Sequence, residues 1–131
     1  MIGNAIYPDV VAFITLYQGP RGLKARTTEV LHSQEEMDKA FAGLDVTLSA
    51  KVDFSSEDVT VVALGQRATT GYAVEITGII CVTDRLNNLP NETLISYHEC
   101  KPSWEAAEIP TSPMHVVKSA KIRAVVNFSP V

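Results

Sequence analysis

The chain has 131 residues, 46% of them apolar, and a formal net charge of −4. That length fits one domain spanning residues 1–131. A chain of this size buries roughly two-thirds of the surface its unfolded form exposes, so its core needs no metal or disulfide staple. The acidic balance excludes nucleic acid as the main partner, because phosphate binding calls for a basic patch. Lys118, Lys121 and Arg123 are only loosely clustered and read as one strand's wet face.

Residues 9–17 (DVVAFITLY) are β-branched, aromatic and apolar on both faces, the pattern of a buried strand. The apolar run inside them is far shorter than the roughly 20 residues a membrane-spanning helix needs. No basic segment precedes it, so no secretory signal peptide is visible. The expected location is the cytoplasm or an assembled particle, unless a leader was removed. Residues 18–22 (QGPRG) break the strand, and Thr27–Leu31 forms a second. Ser33-Gln34-Glu35-Glu36 then has the form of a capping box, with Ser33 as N-cap and Glu36 at the third helical position. Met37, Ala40, Phe41 and Leu44 follow at helical spacing, and Gly43 suits a stop, which predicts a helix over 34–42 with its apolar stripe on the core.

Strands dominate from there. Residues 59–64 (VTVVAL) are strongly apolar, and 72–83 form a long strand in which Gly78 marks a bulge. Residues 87–91 (NNLPN) are turn-forming and 93–100 are the return strand of a hairpin. A loop over 102–113 holds three prolines and Trp104, the only tryptophan. Residues 114–118 and 122–128 complete the set. In the last, Ile122, Ala124, Val126 and Phe128 alternate with Lys121, Arg123 and Asn127, as in a half-buried strand. About seven or eight strands with short connections predict a mainly β fold with one short α-helix, built as a small, mostly antiparallel barrel or sandwich.

Cys81 and Cys100 are too few for a disulfide scaffold. A bridge would need their Cα atoms within about 7 Å, and we read them as free, partly buried thiols. The chain carries no GxSxG elbow, Walker A loop, GxGxxG, HExxH or CxxC. His32, His98 and His115 are far apart in sequence. No catalytic residue, metal ligand or cofactor is therefore assigned. Residues 53–58 (DFSSED) set oxygen ligands at alternate positions but lack the glycine and glutamate spacing of a calcium loop. They read as a turn capped by Asp and Ser side chains. Glu105 and Glu108 read as solvated charges. Trp104 is either a binding anchor or a cover over one open end of the core.

Three stretches carry a family resemblance. Val52-Asp53-Phe54-Ser55 precedes a strand. Gly65-Gln66-Arg67-Ala68-Thr69-Thr70-Gly71-Tyr72 follows a G-x-R-x-T-G-G-Y pattern, with Thr70 where glycine is usual. Thr111-Ser112-Pro113-Met114-His115 follows a TSPYH pattern, with Met114 in place of an aromatic. In order and spacing these resemble the C-terminal domain family of the protease-complex subunit PrcB. The resemblance implies a small β-rich domain with a non-catalytic role in a protein complex, and a secreted or surface setting. More narrowly, residues 68–72 resemble the NPTTGY loop of chagasin-type cysteine protease inhibitors, without its Asn-Pro and without the companion glycine-rich loop.

The turn also has a purely structural reading. Gly71 supplies a positive φ, Thr69 and Thr70 bond local backbone, and Tyr72 packs its ring on the core. Both readings stand, and the candidate binding residues are Arg67, Thr69, Thr70, Gly71, Tyr72 and Trp104. The expected function is a non-enzymatic protein–protein interaction module. It would be an accessory or structural subunit of a larger assembly, such as a protease complex, a viral particle or a homo-oligomer. The alternatives are a protease inhibitor acting through exposed loops and an enzyme whose site only the fold assembles.

Overall fold

Alternating and doubly apolar runs set down eight strands and one helix in the computed structural model, which describes residues 6–84, 89–103, 105–122 and 125–131. The order is β1 (Ile6–Val10), β2 (Phe13–Gly19), β3 (Thr27–Leu31), α1 (Gln34–Ala40), β4 (Glu57–Ala63), β5 (Ala73–Asp84), β6 (Leu89–Cys100), β7 (Met114–Ala120) and β8 (Val125–Pro130). They form two four-stranded sheets, β1-β5-β6-β8 and β2-β7-β4-β3. The sheets face each other as a sandwich and do not close into a barrel. Every ladder is antiparallel except β6 with β8. That exception follows from connectivity. The chain leaves β7 in one sheet, crosses to the other layer and arrives beside β6 in the same direction.

The sheet β2-β7-β4-β3 is covered on both faces, which explains why residues 59–64 show no polar alternation. Val59, Val61 and Ala63 pack with Leu16, Leu31, Met37, Met114 and Val116 beneath α1 and the segment after it. Val62 and Leu64 turn the other way, into a core between the sheets with Val74, Ile76, Ile79, Ile95, Tyr97, Val117 and Ile122.

α1 begins where the capping residues place it. The Ser33 hydroxyl accepts from the Glu36 N–H at 3.1 Å. The helix ends at Ala40, short of the expected 42, with Phe41 as C-cap and Gly43 at φ 81°. Phe41 and Leu44 still reach the core beside Met37, so the apolar stripe continues past the helical backbone.

Three expectations need correction. Residues 9–17 are not one buried strand: the chain passes from one sheet to the other between Val10 and Phe13, and both strands lie at sheet edges. Val10 is 84% exposed and Ile14 58%. β-branched residues favour extended backbone wherever they sit, and burial depends on what covers the strand. The second correction concerns the thiols. Both are free, but Cys100 is exposed and only Cys81 is half-buried. On β5 and β6 they pair with Thr93 and Ala73, which puts them roughly 23 Å apart along the ladder. The third is the last strand, which starts at Val125 and leaves Ile122 buried ahead of it. Arg123 and Ala124 lie outside the described residues, as do residues 87 and 88 of the expected turn, and residues 89–91 of that turn already belong to β6. The Gly78 bulge is observed as a register shift between Ile76 and Gly78.

Candidate functional site

The residues 65–72 leave β4 and form a turn zipped to the loop that leads into β7. Gly65, at φ 84°, redirects the chain as it leaves β4. The Arg67 N–H donates to the Thr111 carbonyl at 2.7 Å, and the Thr111 N–H returns a bond to Arg67 at 2.9 Å. The Thr111 hydroxyl donates to the Thr69 carbonyl at 2.9 Å. Thr70 forms a reciprocal pair with Ala107: its N–H donates to the Ala107 carbonyl at 3.0 Å, and its hydroxyl accepts from the Ala107 N–H at 3.1 Å. Gly71 is required twice over. Its φ is 92°, and a Cβ there would stand 2.7 Å from the Pro102 Cβ.

Arg67 and Tyr72 extend this wall. The Arg67 guanidinium lies 5.5 Å from the centroid of the Tyr72 ring, within cation–π range. It also reaches Glu99 at 3.4 Å, whose other oxygen is 3.2 Å from Arg26. Arg26 donates further to the Tyr97 hydroxyl at 3.3 Å. Burial pushes the Glu99 carboxyl up, but the two guanidiniums outweigh it and hold the group below the usual carboxylate range. Arg26 precedes β3 and Arg67 follows β4, while Tyr97 and Glu99 lie on β6. The cluster thus closes one end of the sandwich.

Beside the turn lies a cleft of about 530 Å³. One side is Gln18-Gly19-Pro20 at the end of β2; the other runs from Thr70 to Val74; Thr111 and Met114 complete its lining. Two side chains of the opposite sheet reach the β5 backbone here. Gln18 Nε2 donates to the Val74 carbonyl at 3.0 Å, and His115 Nδ1 accepts from the Ile76 N–H at 2.8 Å. Since Nδ1 is an acceptor, Nε2 carries the hydrogen and donates to the Thr15 hydroxyl at 2.8 Å. The ring is 2% exposed as part of its residue, and that burial pushes its pKa down, against a smaller opposing effect from Glu75.

The structure therefore brings Arg67, Thr69, Thr70, Gly71 and Tyr72 onto one surface. Trp104 lies outside the described residues. Sequence reasoning missed Gln18, Pro20, Arg26 and Glu99 as neighbours of the turn. The QGPRG stretch signalled only a chain break, and nothing local marks Glu99. The other polar groups are engaged elsewhere. His98 Nδ1 is 2.9 Å from the Val131 carbonyl. His32 Nδ1 is 2.9 Å from Asp58. Asp53 Oδ1 accepts from the Ser55 N–H and hydroxyl, so the turn expected over 53–58 is capped as read but ends before Glu57 and Asp58, which belong to β4. A second cleft, bounded by Gln34, Met37 and residues 48–52, contains Lys51 but no His, Cys, Asp or Glu; the first also lacks them. Among the described residues, no three such side chains are grouped to hold a metal ion.

Comparison with curated proteins gave no significant match, and neither did comparison with solved structures. The family model described as PrcB C-terminal matches residues 59–119. That stretch runs from β4 to β7 and includes the Arg67–Tyr72 turn, the loop zipped to it and His115, so the segment 59–119 is similar to the PrcB C-terminal family.

Proposed function

We propose that the chain is a non-enzymatic interaction module, the accessory subunit of a protease complex, and that it meets its partner with the Arg67–Tyr72 turn and the adjoining cleft. The observation that carries this reading is the position of that turn. It lies within the PrcB-like segment, and it borders an apolar-lined cleft with few polar groups, the usual form of a binding site. The turn is also pre-organised. Its own loop satisfies the Arg67, Thr70 and Thr111 amides, so little ordering entropy is lost when a partner docks. Neither an inhibitory wedge nor a hydrolytic site gains support. The Thr69 carbonyl and the Thr70 amide and hydroxyl are bonded to the chain's own loop, and the buried His115 is committed to both sheets. Native mass measurement on the protein from its source cells tests the reading. An assembly containing a protease component is expected, and a strict monomer with nothing co-purifying would contradict it.

A further inference from the structure

β5 is longer than the strand that flanks it. β1 pairs only with Ile80–Asp84, and the Val11 N–H adds one bond to the Ile79 carbonyl. From Ala73 to Gly78 that edge of β5 has no strand beside it among the described residues. On the other side β6 pairs along the whole length. The Val74 carbonyl points away from β6, because Gln18 reaches it there. Strand geometry sends the Val74 N–H to the same side, since both main-chain groups of one residue in an antiparallel ladder share an edge. Two residues on, the Ile76 N–H also faces that edge and is met by His115. Gln18 and His115 are themselves opposite each other on β2 and β7. Side chains of the opposite sheet thus meet the β5 main chain beyond the bulge, where β1 no longer pairs with it.

The two substitutes differ in permanence. His115 is buried and held at both ring nitrogens. Gln18 is an exposed residue, and its carboxamide donates to Val74 as a peptide N–H would. It lies at the cleft, where Gly71 and Ala73 bring only small side chains. We infer that the cleft takes an extended peptide segment of the partner protein, which displaces Gln18, pairs main chain to main chain with β5 at Val74, and sets one apolar side chain against Tyr72 and Met114. This rests on the proposed interaction function and names its mode: the addition of a strand to an open sheet edge. An extended segment suits the site because the acceptor is a strand main-chain carbonyl that a side-chain amide now meets, and a small molecule without a peptide N–H would leave it unpaired.

The probe is a displayed library of linear heptapeptides, selected on the intact chain and counter-selected on Ala73→Trp, which fills the cleft from an exposed position. A selected peptide should shift the Gln18 side-chain and Gly71–Val74 amide resonances. Methylating its backbone nitrogens one at a time should cost about tenfold or more in affinity at a single position, the one that donates to Val74. This change is made in the peptide, so protein folding does not enter. Gln18→Ala should tighten binding by about threefold to tenfold by removing the competitor for that carbonyl. No Trp-sensitive peptide, indifference to methylation at every position, or equal or weaker binding to Gln18→Ala would each overturn the inference. The broader reading fails separately: it falls if Arg67→Ala/Tyr72→Ala leaves partner capture unchanged, whatever the peptides do.

Discussion

Two carboxylates join separate segments of the chain, one near each end of β4. Asp58 sits between Lys121 at 2.9 Å and His32 at 2.9 Å, and also accepts from the Ile122 N–H at 2.9 Å. Glu99 sits between Arg26 and Arg67. The chemistry is alike but the settings differ: the Asp58 side chain is 1% exposed and that of Glu99 is 25%. Loss of the Asp58 carboxylate strands the buried Ile122 N–H, while Lys121 and His32, 32% and 49% exposed, can turn to water. A half-exposed carboxylate is replaced by solvent at little cost. The Asp58 end is therefore where polar contacts hold the fold. The Glu99 end, beside the turn and cleft, can be altered to serve a partner without unfolding the chain.

The largest expected effect breaks the first end. Asp58→Ala should lose about 1.5–3 kcal/mol of stability in urea unfolding, because the buried Ile122 N–H loses a charged acceptor. His115→Ala comes next. It leaves the Ile76 N–H unpaired between the sheets and should cost about 1–3 kcal/mol. Glu99→Ala should cost no more than about 1 kcal/mol, and less at high salt. Equal losses at Asp58 and Glu99 would erase the contrast.

Acid should separate the two buried groups. His115 has a folded pKa below its ordinary 6.5, so protons bind the unfolded chain more tightly. Stability is then full above pH 6.5 and falls as pH drops below it, because the imidazolium cannot accept the Ile76 N–H. For Asp58, burial pushes the carboxyl up, but Lys121, the Ile122 N–H and His32 outweigh it and hold it below 3.8. Its contribution is complete above pH 3.8 and is lost as pH falls further. Unfolding midpoints measured from pH 8 to 3 should show both declines, and His115→Ala should flatten the upper one alone.

The parts legible in sequence were those set by neighbouring residues. The Ser33 cap, the Gly78 bulge, the doubly buried β4 and the glycine of the turn each follow from a short stretch. Sheet membership did not, because the switch at Val11 and Ala12 interrupts a run of uniform strand character. The Glu99 cluster was also hidden: its arginines are 32 and 73 residues away in sequence, and only the meeting of β6 with the ends of β3 and β4 unites them. The turn could be recognised as a motif, but its cleft could not, since the facing wall comes from Gln18 and Pro20.

The central claim, that the Arg67–Tyr72 surface is the partner's docking face, is tested most directly by quantitative capture from source-cell extract. Immobilised wild type would be compared with Arg67→Ala/Tyr72→Ala and with Lys51→Glu in the second cleft, each first shown to unfold cooperatively. Retention of a protease-complex component by wild type and Lys51→Glu, with a drop of about tenfold or more for the double variant, is the predicted result. Equal retention by all three would contradict it.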